Sequence, residues 1–565
     1  MADQADFPDI YIDSSVEAGG VGSEADPYSA FSEINWTTGG DNSIFDYYAD
    51  SPVASVTINL KRGETFRESF ISGCAGSALY PLVVQAYGTG DDPVILGSIN
   101  ISGGGATYKW TASGSGTNEW ILEAFAGGIP GITEPTQLFL DDVKLEQGSA
   151  GSLSDHEWEW VNSTIYLRDD SGDPDSSGVV IEASSSVLGA LFYINHEYIT
   201  IDGILCKYGA GHGFRASSNV GSNFVIKNCT ATYNRDAGVQ VYDGCHNGEV
   251  RNCTVSHCQG SNISVNGGPA FAVTGLLITG CTIHDPEIEV GAYTEASGIK
   301  AFGLAYSVIE KSTWYNCLSG AIRFDGQGED QGCDHNIVRG NLIYDCGGVG
   351  GSKYPQVEIE FSNNNTISFN YIYSPWNGGP CIRFSHNSSS NNVSGNIISG
   401  STDDYGIITG WAFVNPADNN KVIGNAIYNC YYGIKVAESS MTVKNNAFES
   451  CLYADVAVST SGDFISTLDS DNNCLGSVSG GGGKVFRLGS TAYTLAEWQS
   501  YAGTDASSVE NAPLFTDPGS GDFTLQAGSP AIGLGDFTVG SPFNIGLLPG
   551  SSWPSAVVTG DRDDY

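Results

Sequence analysis

One short phrase is written ten times between Ile201 and Cys451, and nothing else in the chain restricts its fold as strongly. It consists of an aliphatic residue, two variable positions, a small or amide residue, one more position and another apolar residue. In order it reads IDGILC (201–206), IKNCTA (226–231), VRNCTV (250–255), ITGCTI (278–283), IEKSTW (309–314), VRGNLI (338–343), ISFNYI (367–372), VSGNII (393–398), VIGNAI (422–427) and VKNNAF (443–448). The copies recur every 21 to 31 residues. A repeat of that length, with period-2 alternation and no helical stretch, specifies a solenoid whose rungs are strands.

A second phrase lies about half a rung earlier: GFRAS (213–217), GVQVYD (238–243), GIKAF (298–302), AIRFDG (321–326), VEIEFSN (357–363), CIRFSH (381–386), GIITG (406–410) and GIKVAE (433–438). Two strands per rung separated by Gly and Asn turns predict an all-β right-handed parallel β-helix. Its interior is stacked from like residues, because each rung lies ~4.8 Å above the last. Ile322-Arg323-Phe324, Ile359-Glu360-Phe361 and Ile382-Arg383-Phe384 read as one tripeptide in register, its central residue facing out.

A chain of 565 residues would ordinarily form three or four domains, but a solenoid core grows linearly and relaxes that expectation. Net charge is −41, from 64 acidic and 23 basic residues, so a nucleic-acid partner is not expected. The surplus carboxylates serve solubility or divalent-cation binding. Of the 14 cysteines, Cys229, Cys253 and Cys281 occupy one slot of consecutive rungs, and Ser312, Asn341, Asn370, Asn396, Asn425 and Asn446 continue it. Cys258, Cys317, Cys346, Cys430 and Cys451 fill a second slot. Stacked residues have parallel Cβ vectors, a poor geometry for a disulfide, so both columns read as buried ladders of thiols and amides.

The start, MADQADFPDIYIDSS, lacks a basic stretch followed by an apolar core. No signal peptide and no membrane insertion are expected, and free thiols agree with folding in a reducing cytosol. Four regions follow: 1–107, an N-terminal cap and first rungs; 108–184, a small β-rich module; 185–459, the β-helix; and 460–565, a C-terminal cap. Rungs are expected from about Val56, and Thr494–Tyr501 reads as a short helix. In the module, Trp110, Trp120, Trp158 and Trp160 form either its own core or a platform for sugar rings.

The passage TLAEWQSYAGTDASSVENAPLFTDPGSGDFTLQAGSPAIGLG closely resembles the C-terminal end of secreted right-handed β-helix proteins of the pectate-lyase-like superfamily. The phrases GITEPTQLFLDDVKLEQG and HEWEWVNSTIYLRDDSGDPDSSGVVIEA resemble a segment of bacteriophage and prophage structural proteins. The second resemblance implies a phage tail spike or depolymerase, and with it a homotrimer.

Inward positions of a solenoid are consumed by packing, so function is sought on an outward column. Arg215, Gln240, Lys300, Arg323, Glu360, Arg383 and Lys435 form that column in the frame above, and Lys227, Arg251, Glu310, Arg339 and Lys444 form a second one. Cations one or two rungs apart match successive charges of an acidic polysaccharide, with Arg215, Gln240, Arg383 and Lys435 as substrate-binding residues. The plainer alternative is that Glu360 neutralises Arg323 and Arg383 across the strands.

Two catalytic designs stay open. Lys300 and Arg323 look like the Lys/Arg pair of the chondroitinase-B-like and alginate-lyase β-helix family, which implies β-elimination on a uronate with Lys300, Arg323, Asp325 and Glu360 at the centre. That family also implies calcium, for which Asp325, Glu329, Asp330, Glu358 and Glu360 are the nearest ligands. The other design is hydrolysis by two carboxylates from Asp325, Glu358 and Glu360 on adjacent rungs. His212, His246, His257, His335 and His386 lack zinc-site spacing.

The reading is a polysaccharide-binding and polysaccharide-degrading β-helix protein of tail-spike kind, extracellular or virion-associated, with a lyase favoured over a glycoside hydrolase. The alternatives are a secreted bacterial polysaccharide lyase and a non-enzymatic adhesin. Lys300 and Arg323 are both expected to face solvent, so that truncating either would leave the fold intact.

Overall fold

The repeated phrase folds as it does because its third position supplies a turn that cannot be a strand. In a computed structural model, the residues that join its two apolar ends adopt left-handed backbone: Gly280 (φ 65°), Lys311 (φ 52°), Gly340 (φ 63°), Phe369 (φ 53°), Gly395 (φ 65°), Gly424 (φ 69°) and Asn445 (φ 58°). Gly and Asn recur there because they pay least for positive φ. Each phrase is thereby cut into two short strands, such as Val308–Glu310 and Thr313–Tyr315. With the strand of the second phrase, a rung has three strands, one more than the sequence suggests. The tight bend occupies only two residues, too short to show as a break in the alternating pattern.

The structure describes residues 9–38, 43–50, 52–103, 108–123, 134–184, 189–217, 220–288, 296–326, 331–349, 352–411, 418–438, 440–460, 464–476 and 483–535. They divide into two compact units, residues 1–240 with 255–260 and residues 241–254 with 261–565. Among the described residues no helix is long and apolar enough to cross a membrane.

The first unit opens with a strand, Ile10–Ile12, paired in parallel with Thr57–Lys61, and a short helix, Ile44–Ala49, capped by Ser43. Its rungs continue through Leu82–Tyr87, Ile199–Asp202 and Val225–Lys227. Between them stands a five-stranded sheet containing Glu119–Glu123, Glu157–Val161 and Thr164–Arg168. Trp110 and Trp158 are buried in its core with Leu122, Ile165 and Leu167, and Trp120 and Trp160 pack against them. All four tryptophans therefore serve the core rather than an open sugar platform.

In the second unit three parallel sheets repeat. Sheet A runs from Glu249–Arg251 to Asp469–Asp471, sheet B from Ile263–Asn266 to Phe486–Leu488, and sheet C from Thr282–His284 to Val509–Glu510. Inward columns are apolar: Ile299, Ile322, Val357, Ile382, Ile407, Ile434, Val456 and Phe486 stack in register along sheet B. All eight are fully buried, each worth roughly 1.5–3 kcal/mol of transfer free energy.

The thiol and amide column also forms. Each asparagine donates from Nδ2 to a backbone carbonyl of the neighbouring rung, and its Oδ1 accepts the backbone N–H of the residue stacked on it. The series runs Ser312, Asn341, Asn370, Asn396, Asn425, Asn446 and Asn473. All 14 cysteines are free and buried. The C-terminal end carries the helix Leu495–Ala502, with Thr494 and Glu497 forming a capping box, and an antiparallel pair, Phe515–Asp517 with Asp522–Leu525.

Candidate functional site

Sheet B of the second unit carries the charged residues, and its register is what brings them together. Lys300 pairs with Arg323, Arg323 with Glu358, and Glu358 with Arg383. One position nearer the end of each strand's outward face, Asp325 pairs with Glu360. The column beside Arg323 and Arg383 therefore holds Glu358, not Glu360 as the tripeptide match suggests. Phe361 is not the counterpart of Phe324 and Phe384; it has left the strand in a left-handed turn (φ 49°), where its ring stacks on His386.

Burial makes this cluster different from an ordinary polar face. Glu358 is 2% exposed and Arg323 6%, so Arg323 does not face solvent as expected. Glu358 is held between two guanidinium groups: Arg383 donates from Nε (2.9 Å) and Nη2 (2.5 Å) to Oε1, and Arg323 Nε lies 3.2 Å from Oε2. Lys300 Nζ lies 3.0 Å from Asp325 Oδ2, with Arg323 Nη2 3.6 Å from the same oxygen. Arg323 also stands over the ring of Tyr354, 5.9 Å from its centroid. Three cations thus meet three carboxyl groups in one cluster.

Glu360 is held least firmly by cations. Arg323 Nη2 lies 4.0 Å from it, while His386 Nδ1 is 2.8 Å from Oε1. Burial, then the charges of Glu358 and Asp325, push its carboxyl up to about 7, against the opposing pull of Arg323 and Arg383. A carboxyl that changes charge near neutrality, one rung from a second carboxyl, is suited to giving and taking a proton.

Farther along sheet B the register passes from Arg383 through Ile408 to Lys435. Lys435 lies over Tyr405, whose ring stacks on Tyr432, and burial lowers the lysine's affinity for its proton. At the turn between Tyr371–Tyr373 and Ile382–Ser385, a cleft of about 440 Å³ is lined by Asn316, Asp345, Ser374, Trp376 and Thr402. Trp376 is 45% exposed there, an open aromatic face among polar groups.

The right handed beta helix region model matches residues 143–270, 221–352 and 349–475, more than half of the chain. The chain belongs to the right-handed β-helix family. No curated protein matches it. Among solved structures, XylC in complex with xylose is 14% identical, covering 85% of this chain and 86% of that one with a TM-score of 0.56. The A-module of the Azotobacter vinelandii mannuronan C-5 epimerase AlgE4 is 10% identical over 78% of this chain and 90% of its own, with a TM-score of 0.41. The Dettilon tailspike protein is 13% identical over 53% and 61%, with a TM-score of 0.35.

In this β-helix protein the other expected site residues are distributed differently. Arg215 and Gln240 belong to the first unit, where Arg215 covers the ring of Tyr193 and Gln240 is buried. Glu329 and Asp330 lie outside the described residues. Asp325, Glu358 and Glu360 fit a calcium ion poorly: the first two are engaged by lysine and arginine, and the three do not converge as a set of ligand atoms within 4.8 Å. His386 was visible in the sequence only as a turn residue. Its role depends on the two-residue offset that places Ser385 beside Glu360 and His386 just beyond.

Proposed function

We propose that the outward face of sheet B binds a polysaccharide and hydrolyses it, with Glu360 as the proton donor and Asp325 as the facing carboxylate. The observation that carries this reading is the direct pairing of Asp325 with Glu360 on neighbouring rungs. A rung spacing of ~4.8 Å approaches the ~5 Å between carboxyl groups used in double displacement. Glu360 would protonate the leaving glycosidic oxygen while Asp325, positioned by Lys300, attacks the anomeric carbon. Water admitted after the leaving sugar would then be deprotonated by Glu360 and release the glycosyl group, which restores both residues.

The charge balance of the cluster bears on the substrate. Lys300, Arg323 and Arg383 are each engaged by a carboxyl group, which places them poorly to neutralise a uronate. We therefore infer a sugar chain recognised through hydroxyl groups and ring faces, with Trp376 as the stacking surface. A β-helix protein of similar fold has been solved with xylose, which supports a sugar ligand of this kind. The resemblance of residues 108–184 to a segment of phage structural proteins supports a setting outside the cell, on a phage tail spike. Light scattering tests the homotrimer that such spikes form.

Product analysis separates the chemistries. Incubation with neutral and acidic bacterial polysaccharides is expected to release reducing ends without near-UV absorbance. Unsaturated, absorbing ends would instead establish β-elimination through Lys300 and Arg323, and binding without any product would establish an adhesin.

A further inference from the structure

A second site lies in the first unit, at the open end of the hairpin formed by Glu157–Val161 and Thr164–Arg168. Asp155 and His156 enter the hairpin and Asp169 leaves it. The pairing that fixes the two strands also fixes these three, since His156 N donates to Arg168 O at 3.0 Å. One carboxylate oxygen from each aspartate and one ring nitrogen of His156 all lie within 4.8 Å of one another.

Asp169 supplies the independent observation. It is 0% exposed, yet its Oδ2 has no hydrogen-bond partner, while Oδ1 accepts the backbone N–H of Ser171. A buried carboxylate oxygen left without a donor calls for a counter-charge. The nearby guanidinium does not supply it: Arg168 is directed to both oxygens of Asp170, at 2.9 and 3.2 Å, and to Leu153 O. Among the described residues, neither Asp155 nor Asp169 forms an ion pair with a lysine or arginine.

We propose that Asp155, His156 and Asp169 bind a divalent transition cation of the Zn²⁺ type. Two carboxylates and an imidazole suit such an ion, whereas Ca²⁺ takes oxygen ligands almost exclusively. Three protein ligands leave at least one position for water, and the exposed Asp155 and His156 give the ion a path of entry. The site would tie the two ends of the hairpin together and stiffen the sheet whose core holds Trp110 and Trp158.

The test uses the full chain after treatment with EDTA, titrated calorimetrically with ZnCl₂ and separately with CaCl₂, with thermal melts alongside. Zn²⁺ is expected to bind with a one-to-one component of micromolar or tighter affinity and to raise the melting temperature, with Ca²⁺ at least tenfold weaker. His156→Ala and Asp155→Asn alter exposed side chains and keep the fold testable even where Asp169→Asn does not. Each is expected to weaken the Zn²⁺ component at least tenfold. No Zn²⁺ binding up to millimolar concentration, unchanged affinity in both exposed variants, or tighter binding of Ca²⁺ would overturn the assignment.

Discussion

Glu360 and Arg323 show how far a residue's role depends on what its neighbours already use. Glu360→Gln keeps the shape and removes the transferable proton, so activity should fall by roughly 10²–10⁴-fold with the melting temperature little changed. Because burial and two neighbouring carboxyl groups raise Glu360 to about 7, wild-type kcat/KM should decline as pH rises through that value and the proton is lost. Arg323→Ala is predicted to act on stability as well as activity. It takes one of two guanidinium partners from a nearly inaccessible Glu358, and a denaturant melt should register a loss of roughly 3 kcal/mol. Lys300→Ala should cost distinctly less, since its side chain is the more exposed of the two.

At the scale of the element, register decides the site, and here the sequence was ambiguous for a definite reason. Val357-Glu358-Ile359-Glu360-Phe361 alternates perfectly, so frames two residues apart bury equally apolar sets. Resemblance to IRF favoured the frame ending in Phe361, while the structure ends the strand at Glu360. The asparagine column was legible because one residue type recurs in one slot of the repeated phrase. A second column, Asn336, Asn365, Asn391 and Asn420, was not, because it lies in turns outside that phrase. It ends on Glu438, whose Oε2 accepts from Asn420 Nδ2 at 2.8 Å. Burial pushes the Glu438 carboxyl up to about 8, from 4.5 when unfolded. The folded state therefore loses stability as pH rises from about 4.5 through 8, because unfolding releases this proton. Glu438→Gln should flatten that decline in melts recorded between pH 5 and 8. In the first column, Asn396→Ala should cost roughly 2–4 kcal/mol, since it strands the backbone N–H of Asn370 in the interior.

At the scale of the whole molecule, a solenoid makes outward positions of distant sequence into neighbours, and that is how Asp325 and Glu360 meet across 35 residues. The same stacking closes the interior to reagents. All 14 thiols are buried, so a thiol reagent should titrate none in the native protein and 14 after denaturation. The overall architecture was open to reading from the repeat, whereas the charge cluster was not, because it depends on side-chain burial and on one insertion between Arg323 and Glu358. The most direct measurement is the titration of Glu360 by carboxyl ¹³C NMR in the wild type and in Asp325→Asn. The paired carboxyls predict a midpoint near 7 that moves down when the Asp325 charge is removed. A midpoint near 4.5, the same in both proteins, would contradict the account.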